Sequence, residues 1–377
     1  MPIYGTRPEA IKFAPVVRDL LRADDIDTIV TVTGQHRSML DQVNGLFGIV
    51  PDFDLDIITP KQSLGAIAAR VFDGLAEVFA ASRPDAVMVQ GDTSTSTIAA
   101  LAAFYEGIPV VHLEAGLRSG DLASPFPEEG NRKVTGQIAS LHLAPTPGAR
   151  SNLLREGVDP STIVVTGNTV IDALLHVVSL NTPLEHPQLA ALAERTGPLL
   201  VVTSHRRESW GEGVASTARA LERLAERHPE LTIVLPLHRN PVVRDALSAT
   251  LSSRERVILT DPLDYAQFTT LLAHADIVLT DSGGVQEEAP SLGKPVLVTR
   301  DTTERPEAVD AGTVRLVGTG EDTIVAEVSR LLDDRGAYEA MSRSVNPYGD
   351  GRASERTLAA VRAFFGLGTR LEDFGTV

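Results

Sequence analysis

Apolar runs of strand length alternate with longer amphipathic stretches along the whole 377-residue chain. The runs are almost continuous in Val, Ile and Leu, which indicates strands buried on both faces, as in parallel sheets covered by helices. In the first half the pattern predicts strands over residues 27–33, 85–90, 109–113, 141–144 and 162–166. In the second half it predicts strands over 198–203, 231–236, 256–259, 276–279 and 295–298.

Helical periodicity separates these strands. The predicted helices cover 9–22, 63–81, 95–105, 170–179, 213–227, 241–249, 265–273, 323–332 and 351–365. Two successive βα-repeating halves predict an α/β fold with two Rossmann-like, doubly wound parallel-sheet domains facing a central cleft.

The length of the chain also favours two domains, since single cores stop growing near about 250–300 residues. We predict an N-terminal domain over 1–175 and a C-terminal domain over 176–350. The last segment, 351–377, contains a helix that is expected to cross back to the N-terminal domain.

Composition narrows the classes of function. There are no cysteines, which excludes disulfides, thiolate catalysis and Cys-ligated metals. A formal net charge of −16 argues against a general nucleic-acid surface, although local donors can still hold a small phosphate ligand. No apolar run is long enough to cross a bilayer and no leader opens the chain, so we expect a soluble, cytoplasmic protein without membrane partners.

Two cations and two carboxylates stand at predicted strand ends of the first half. Arg7 and Lys12 belong to a helix start, where cations suit an anionic leaving group. Asp92 and Glu114 each follow a strand; a helix cap explains Asp92 equally well, whereas Glu114 ends an apolar run and must be paired, neutral or functional. Two such carboxylates are what proton transfer at a sugar carbon requires.

A third acidic candidate is Glu128, at a helix start after two prolines. The pattern alone slightly favours a first-turn Glu that interacts with the helix dipole.

The second half carries a different set of side chains at its strand ends. His205 stands beside two arginines, where it either stays neutral more easily or balances a diphosphate. Ser282, Gly283 and Gly284 open a helix: Ser282 is a candidate cap, and the glycines let a phosphate approach free N–H groups. An ordinary capped turn explains the same three residues, and Arg305 lies in a later loop that a salt-bridged surface explains equally well.

No His/Asp/Glu group has helical metal spacing, and the serine-hydrolase elbow, Walker loop and dinucleotide fingerprint are absent. We therefore expect no metal and no cofactor.

Taken together, nine motifs resemble the bacterial non-hydrolysing UDP-N-acetylglucosamine (UDP-GlcNAc) 2-epimerases, in order and spacing from residue 5 to 351. They are GTRPE (5–9), GQHR (34–37), GDT (91–93), HLEAGLR (112–118), PEE (127–129), GNT (167–169), HRRE (205–208), DSGGVQEE (281–288) and RDTTERPE (300–307). The resemblance implies a homodimeric enzyme that interconverts UDP-GlcNAc and UDP-ManNAc, by eliminating UDP to 2-acetamidoglucal and adding it back.

The resemblance also implies roles for particular residues. Catalytic roles fall to Asp92, Glu114, Glu128 and His205, with base and acid unassigned among the carboxylates. Substrate or UDP binding falls to Arg7, Lys12, Phe268, Ser282, Gly283, Gly284, Glu288 and Arg305, with Glu288 on the ribose and Phe268 against uracil. Gln35 and His36 match a site at which some members bind a second UDP-GlcNAc as activator.

Three alternatives share the UDP site. A hydrolysing epimerase would release free ManNAc and UDP, and a GT-B glycosyltransferase would pass the sugar to an acceptor. A catalytically silent sugar-nucleotide-binding protein is the third, and the four catalytic candidates argue against it.

Overall fold

The computed structural model describes residues 1–34, 37–59, 62–206, 210–303 and 305–375. The chain divides into two compact units. Unit 1 comprises Met1–Ala173 and Tyr348–Val377, and unit 2 comprises Leu174–Pro347.

The described strands are β1 Ile3–Tyr4, β2 Thr31–Val32, β3 Phe53–Asp54, β4 Val87–Gln90, β5 Val110–Leu113, β6 Leu141–Ala144, β7 Ile163–Val165, β8 Leu199–Thr203, β9 Thr232–Pro236, β10 Val257–Thr260, β11 Ile277–Thr280, β12 Val296–Val298 and β13 Val314–Leu316. The described helices are α1 Arg7–Arg22, α2 Arg37–Phe47, α3 Leu64–Ser82, α4 Ser94–Tyr105, α5 Glu128–Ile138, α6 Pro147–Arg155, α7 Thr169–Ser179, α8 Pro187–Ala190, α9 Glu212–Arg227, α10 Pro241–Leu251, α11 Tyr265–His274, α12 Gly283–Ser291, α13 Pro306–Asp310, α14 Glu321–Asp333, α15 Arg335–Ser342 and α16 Ala353–Phe364.

In unit 1 the strands form parallel ladders in the orders β1-β2-β3 and β4-β5-β6-β7. A parallel bridge between Pro2 and Met88 joins β1 to β4, so the spatial order is β3-β2-β1-β4-β5-β6-β7. This is the doubly wound order, in which the direction of winding reverses between β1 and β4. Helix α16, although last in the chain, packs against α1.

In unit 2 one parallel sheet has the order β10-β9-β8-β11-β12-β13. Its winding reverses between β8 and β11. Both units are therefore Rossmann-like parallel sheets, and the predicted α/β fold class is confirmed.

The cores follow from the same apolar runs. In unit 1, β4 is fully buried, and helix α4 faces the core with Ala99, Ala100, Ala102 and Ala103. In unit 2, Leu200 and Val202 of β8 pack with the apolar stripe of α9. Burying strands on both faces demands continuous apolar sequence, which is why the pattern located most strands.

The pattern missed one edge strand of each sheet. Strands β3 and β13 were not predicted, and the strand predicted over 27–33 is only Thr31–Val32. Helices α2 and α6 were also missed. Edge strands are short and face solvent on one side, so they lack the long apolar run on which the prediction depends.

Within the described ranges, no helix combines the length and the apolar character needed to cross a bilayer.

A test of the local packing uses Gly116, two residues beyond the active-site candidate Glu114. Gly116 has φ +91°, and a Cβ there would lie 2.3 Å from the Ala149 carbonyl oxygen. We expect Gly116→Ala to lower the free energy of unfolding, measured by urea denaturation, by about 1–3 kcal/mol more than Gly107→Ala does. Gly107 has φ +70° with open space around its Cβ position, so it is the matched control for backbone strain alone. Equal losses in the two variants would contradict the steric argument.

Candidate active site

In each unit, candidate residues lie where the winding of the sheet reverses. Ligands of doubly wound sheets bind outside the carboxyl ends of the strands at this point. In unit 1, Arg7 follows β1 and Asp92 follows β4. In unit 2, His205 follows β8 and Asp281 follows β11.

Glu114 follows β5 and is held by two donors on one oxygen. Lys12 of α1 forms an ion pair through Nζ with Glu114 Oε2, and Asn168 Nδ2 donates to the same oxygen at 3.1 Å. Glu114 has φ +62°, a left-handed conformation that is uncommon outside glycine. Of the three expectations for this residue, it is therefore paired, and its strained backbone is consistent with a functional position.

The turn after β4 presents Asp92 to the same cluster. Arg132 of α5 forms an ion pair with Asp92, and Asn131 Nδ2 donates to the Asp92 carbonyl oxygen at 2.8 Å. Behind the turn, His112 Nε2 lies 2.8 Å from the carbonyl oxygen of Gly91. Burial lowers the pKa of His112 to about 3, so at neutral pH the ring is uncharged and Nε2–H can donate to Gly91.

The pKa of Asp92 is raised, and the causes identify the groups around it. Burial raises it most, and the ion pair with Arg132 opposes this. Glu114 raises it further, Lys12 lowers it, and Glu128 raises it. Four charged groups that are distant in sequence, on Lys12, Glu114, Glu128 and Arg132, thus act on Asp92 at the switch point of unit 1, the place where the winding of its sheet reverses.

Glu128 is the first residue of α5, as predicted. Its Oε2 is buried and has no hydrogen-bond partner in the part of the chain that the structure describes. A buried carboxylate oxygen without a partner is rare in folded proteins and marks a group that a ligand can satisfy.

Arg7 and Lys12, the two predicted cations, differ in their contacts. Lys12 forms an ion pair with Glu114. Arg7 is the first residue of α1, and its side chain is half-buried.

In unit 2, Asp281 organises the segment that carries His205. His205 Nδ1 lies 2.7 Å from Asp281 Oδ1, and the backbone N–H groups of His205 and Arg206 donate to Asp281 Oδ2 at 2.7 and 2.8 Å. Asp281 is fully buried. Burial raises its pKa, but His205 and the two N–H groups outweigh this and hold the pKa below its usual value.

Helix α12 begins beside Asp281, and one expectation for its start was wrong. Ser282 occupies the cap position, but its side chain makes no capping hydrogen bond. The turn is held instead by the hydroxyl of Thr280, which accepts from the Ser282 N–H at 2.9 Å. No side-chain cap therefore competes with an anion at this helix start.

Arg305 lies directly over the start of α12. A Cβ on Gly283 would be 3.1 Å from the Arg305 Cζ, so glycine leaves room for the guanidinium. Arg305 Nε donates to Glu287 Oε1 at 2.7 Å, and Thr303 Oγ1 donates to Gln286 Oε1 at 2.6 Å. Two side-chain contacts thus hold the arginine loop on the helix.

Glu288 and Phe268 belong to neighbouring helices. The Tyr265 hydroxyl of α11 donates to Glu288 Oε1 at 3.2 Å. Phe268 lies three positions after Tyr265, which places both on one face of α11.

Two predicted residues, Gln35 and His36, lie outside the described residues. Across the described ranges, no group of three or more His, Asp or Glu side chains is arranged to hold a metal ion.

Comparison with known proteins decides the family. The family model for UDP-N-acetylglucosamine 2-epimerase matches residues 18–362. UDP-N-acetylglucosamine 2-epimerases of Escherichia coli (strain K12) and Yersinia pestis are each 53% identical over 367 residues, 96% of this chain and 98% of those proteins. The crystal structure of the Neisseria meningitidis UDP-GlcNAc 2-epimerase bound to UDP-GlcNAc is 45% identical with a TM-score of 0.86, covering 96% of this chain and 99% of that one.

The chain belongs to the UDP-N-acetylglucosamine 2-epimerase family.

The sequence analysis did not predict several partners of the candidate residues in this epimerase. Arg132, Asn168 and Asp281 were present in or beside the motifs, but no role was predicted for them. Asp281 did carry a signal, because it directly follows a buried strand. Its pairing with His205 depends on β8 lying beside β11. Residues of these strands that pair in register, such as Thr203 and Thr280, are 77 positions apart in the chain, so the local pattern does not reveal that the strands are neighbours.

The ion pair between Arg132 and Asp92 predicts a pH effect in this epimerase. Burial raises the pKa of Asp92 and the charge of Arg132 lowers it. Without Arg132 the pKa of Asp92 should therefore rise, and the carboxyl group should stay protonated to higher pH. We expect the acidic limb of the kcat/KM profile for UDP-GlcNAc to move to higher pH in Arg132→Gln and to stay near its wild-type position in Arg132→Lys. An active Arg132→Gln enzyme with an unmoved limb would contradict the electrostatic assignment.

Proposed function

We propose that this chain is a non-hydrolysing UDP-GlcNAc 2-epimerase, interconverting UDP-GlcNAc and UDP-ManNAc. The observation that carries the proposal is the cluster of Asp92, Glu114 and Glu128 with Lys12 and Arg132. The chain is similar to UDP-N-acetylglucosamine 2-epimerases over nearly its whole length.

The proposed reaction is an elimination followed by an addition. A base takes the proton from sugar carbon 2, the C–H electrons form the carbon 1–carbon 2 double bond, and UDP leaves with the electron pair of the bond from carbon 1 to oxygen. The intermediate is 2-acetamidoglucal. UDP then adds back at carbon 1, and a proton is delivered to the opposite face of carbon 2.

The carboxylates of unit 1 supply the proton transfers in this proposal. Asp92 has a raised pKa, which brings a carboxylate closer to the pH at which it both takes and returns a proton. Glu114 is tied to a cation, and Glu128 has an oxygen that a sugar hydroxyl or the substrate proton can satisfy. Two separate carboxylates suit protonation on two faces of one carbon.

Unit 2 binds the nucleotide in this proposal. The uncapped start of α12, with Ser282, Gly283 and Gly284, and the adjacent Arg305 are the phosphate ligands. His205 stabilises the charge that develops on the departing diphosphate, in the orientation that Asp281 gives it. Glu288 accepts from the ribose, and Phe268 packs on the uracil.

The experiment that tests the function is incubation with UDP-GlcNAc in heavy water, followed by proton NMR. UDP-ManNAc carrying deuterium at carbon 2 is the expected product, because the proton exchanges with solvent on the enzyme. Free ManNAc with UDP would point to the hydrolysing class. Absence of any change would favour a transferase without its acceptor or a silent binding protein.

Removal of either carboxylate should separate catalysis from binding. We expect Asp92→Asn and Glu114→Gln to lower kcat by about 10²–10⁴-fold, since each removes a proton-transfer group or its partner. UDP affinity, measured by calorimetry, should be unchanged. Glu106→Gln, an exposed carboxylate of the same unit, is the control and should keep full activity. Near-normal rates in both active-site variants would remove the proposed acid/base role.

We also propose that the enzyme is a homodimer. Phe104 and Tyr105, at the end of α4, are exposed, and Tyr105 stacks on Phe72 of α3 with ring centroids 6.0 Å apart. Exposed aromatic clusters are typical of association surfaces. Light scattering should give a mass of twice the 40.2 kDa of one chain, and Tyr105→Glu should reduce it. A single-chain mass for the wild-type protein would contradict the dimer.

A further inference from the structure

Glu9 is a fully buried carboxylate in the first turn of α1, outside the set of residues considered so far. Its Oε2 accepts from the backbone N–H of Thr6 at 2.8 Å and of Gly5 at 3.0 Å. A glutamate at this position normally completes a capping box by accepting from the cap residue, usually at the surface. Helix capping alone accounts for one oxygen of Glu9.

The second oxygen reaches a different element. Thr93 Oγ1 donates to Glu9 Oε1 at 2.7 Å, across 84 residues of sequence. The same hydroxyl oxygen accepts from the Ser96 N–H at 3.0 Å and so caps α4. Thr93, the cap residue of α4, directly follows Asp92. By binding Thr93, Glu9 therefore holds the turn that carries Asp92.

Glu9 therefore connects two neighbouring turns of the switch point. One turn precedes Arg7 and Lys12 on α1, and the other carries Asp92 before α4. Burying this carboxylate costs free energy, because burial disfavours its charged form. Burial raises the pKa of Glu9, although hydrogen bonds from Thr93, Gly5 and Thr6 act in the opposite direction. Helix capping alone does not require a carboxylate to be completely buried, so the burial of Glu9 points to a further role.

We propose that Glu9 is a positioning residue of the epimerisation, which fixes the turn carrying Asp92 relative to the helix carrying Lys12 by bridging Thr6 and Thr93. The role rests on the proposed function. Since small displacements of a reacting group cost large factors in rate, loss of the bridge should act on kcat rather than on nucleotide binding.

The direct test compares Glu9→Gln with Leu20→Ala. Glutamine retains a carbonyl oxygen that accepts from the Thr6 N–H, but its other terminal atom is an NH2 group, which cannot accept from the Thr93 hydroxyl. Leu20 is buried in the same helix away from both turns, so Leu20→Ala lowers stability without touching the bridge. We expect Glu9→Gln to lose about 10–100-fold in kcat with UDP affinity unchanged, and Leu20→Ala to keep kcat at a temperature where both are folded.

A second pair of variants tests the other end of the bridge and decides the matter if Glu9→Gln does not fold. Thr93→Ser keeps the hydroxyl and should keep kcat, whereas Thr93→Ala should lose about as much kcat as Glu9→Gln. A loss in Thr93→Ala that serine does not rescue, or full kcat in folded Glu9→Gln, would overturn the positioning role. Wild-type activity is measured first: its absence would count against the proposed function, whereas an active wild type with unaffected variants would count against the role of Glu9 alone.

Discussion

The reversal of winding in each parallel sheet is the constraint on which the candidate site depends. At this point two neighbouring strands lead their chains away in opposite directions, so the turns after them open side by side without a crossing connection. In unit 1 these are the turns after β1 and β4, joined by the bridge from Pro2 to Met88. In unit 2 they follow β8 and β11, where Thr203 and Thr280 are paired in register. The described ion pairs of Asp92, Glu114 and His205 each include a residue of one of these turns or of the helix that directly follows it.

The cost of burying charge shapes the site of unit 1. An isolated carboxylate in such a position would be protonated or would destabilise the fold, so each one needs donors or a cation. Lys12 with Asn168 serves Glu114, Arg132 serves Asp92, and Thr93 with two backbone N–H groups serves Glu9. Among the described carboxylates of this cluster, Glu128 has a buried oxygen without a partner, where substrate is expected to complete the arrangement.

In the second unit, the proposed phosphate site is a helix start covered by an arginine loop. Helix α12 starts without a side-chain cap, and the residues that follow in the same helix anchor the loop above it. Gln286 holds Thr303 and Glu287 holds Arg305, so the arginine is oriented by the helix whose start it covers. His205 is oriented in the same way, by an aspartate one residue before the cap position.

The sequence by itself determined the fold class, the family and most of the buried strands. Strands such as Leu141–Ala144 are continuous apolar runs because both faces are covered, and that requirement is written locally in the chain. The strand-end positions of Asp92, Glu114 and His205 were readable for the same reason. Edge strands β3 and β13 were not, since an element that is half exposed carries little apolar signal.

Only the tertiary structure decided which of these side chains meet. The pairing of Glu114 depends on α1 bringing Lys12 to the residue that follows β5. The pairing of Asp281 with His205 depends on β8 lying beside β11. The tertiary structure also shows that Ser282 makes no capping hydrogen bond, and it gives Glu9 a partner 84 residues away. Such contacts depend on how the helices and strands pack together, and the local hydrophobic periodicity of the sequence does not predict that packing.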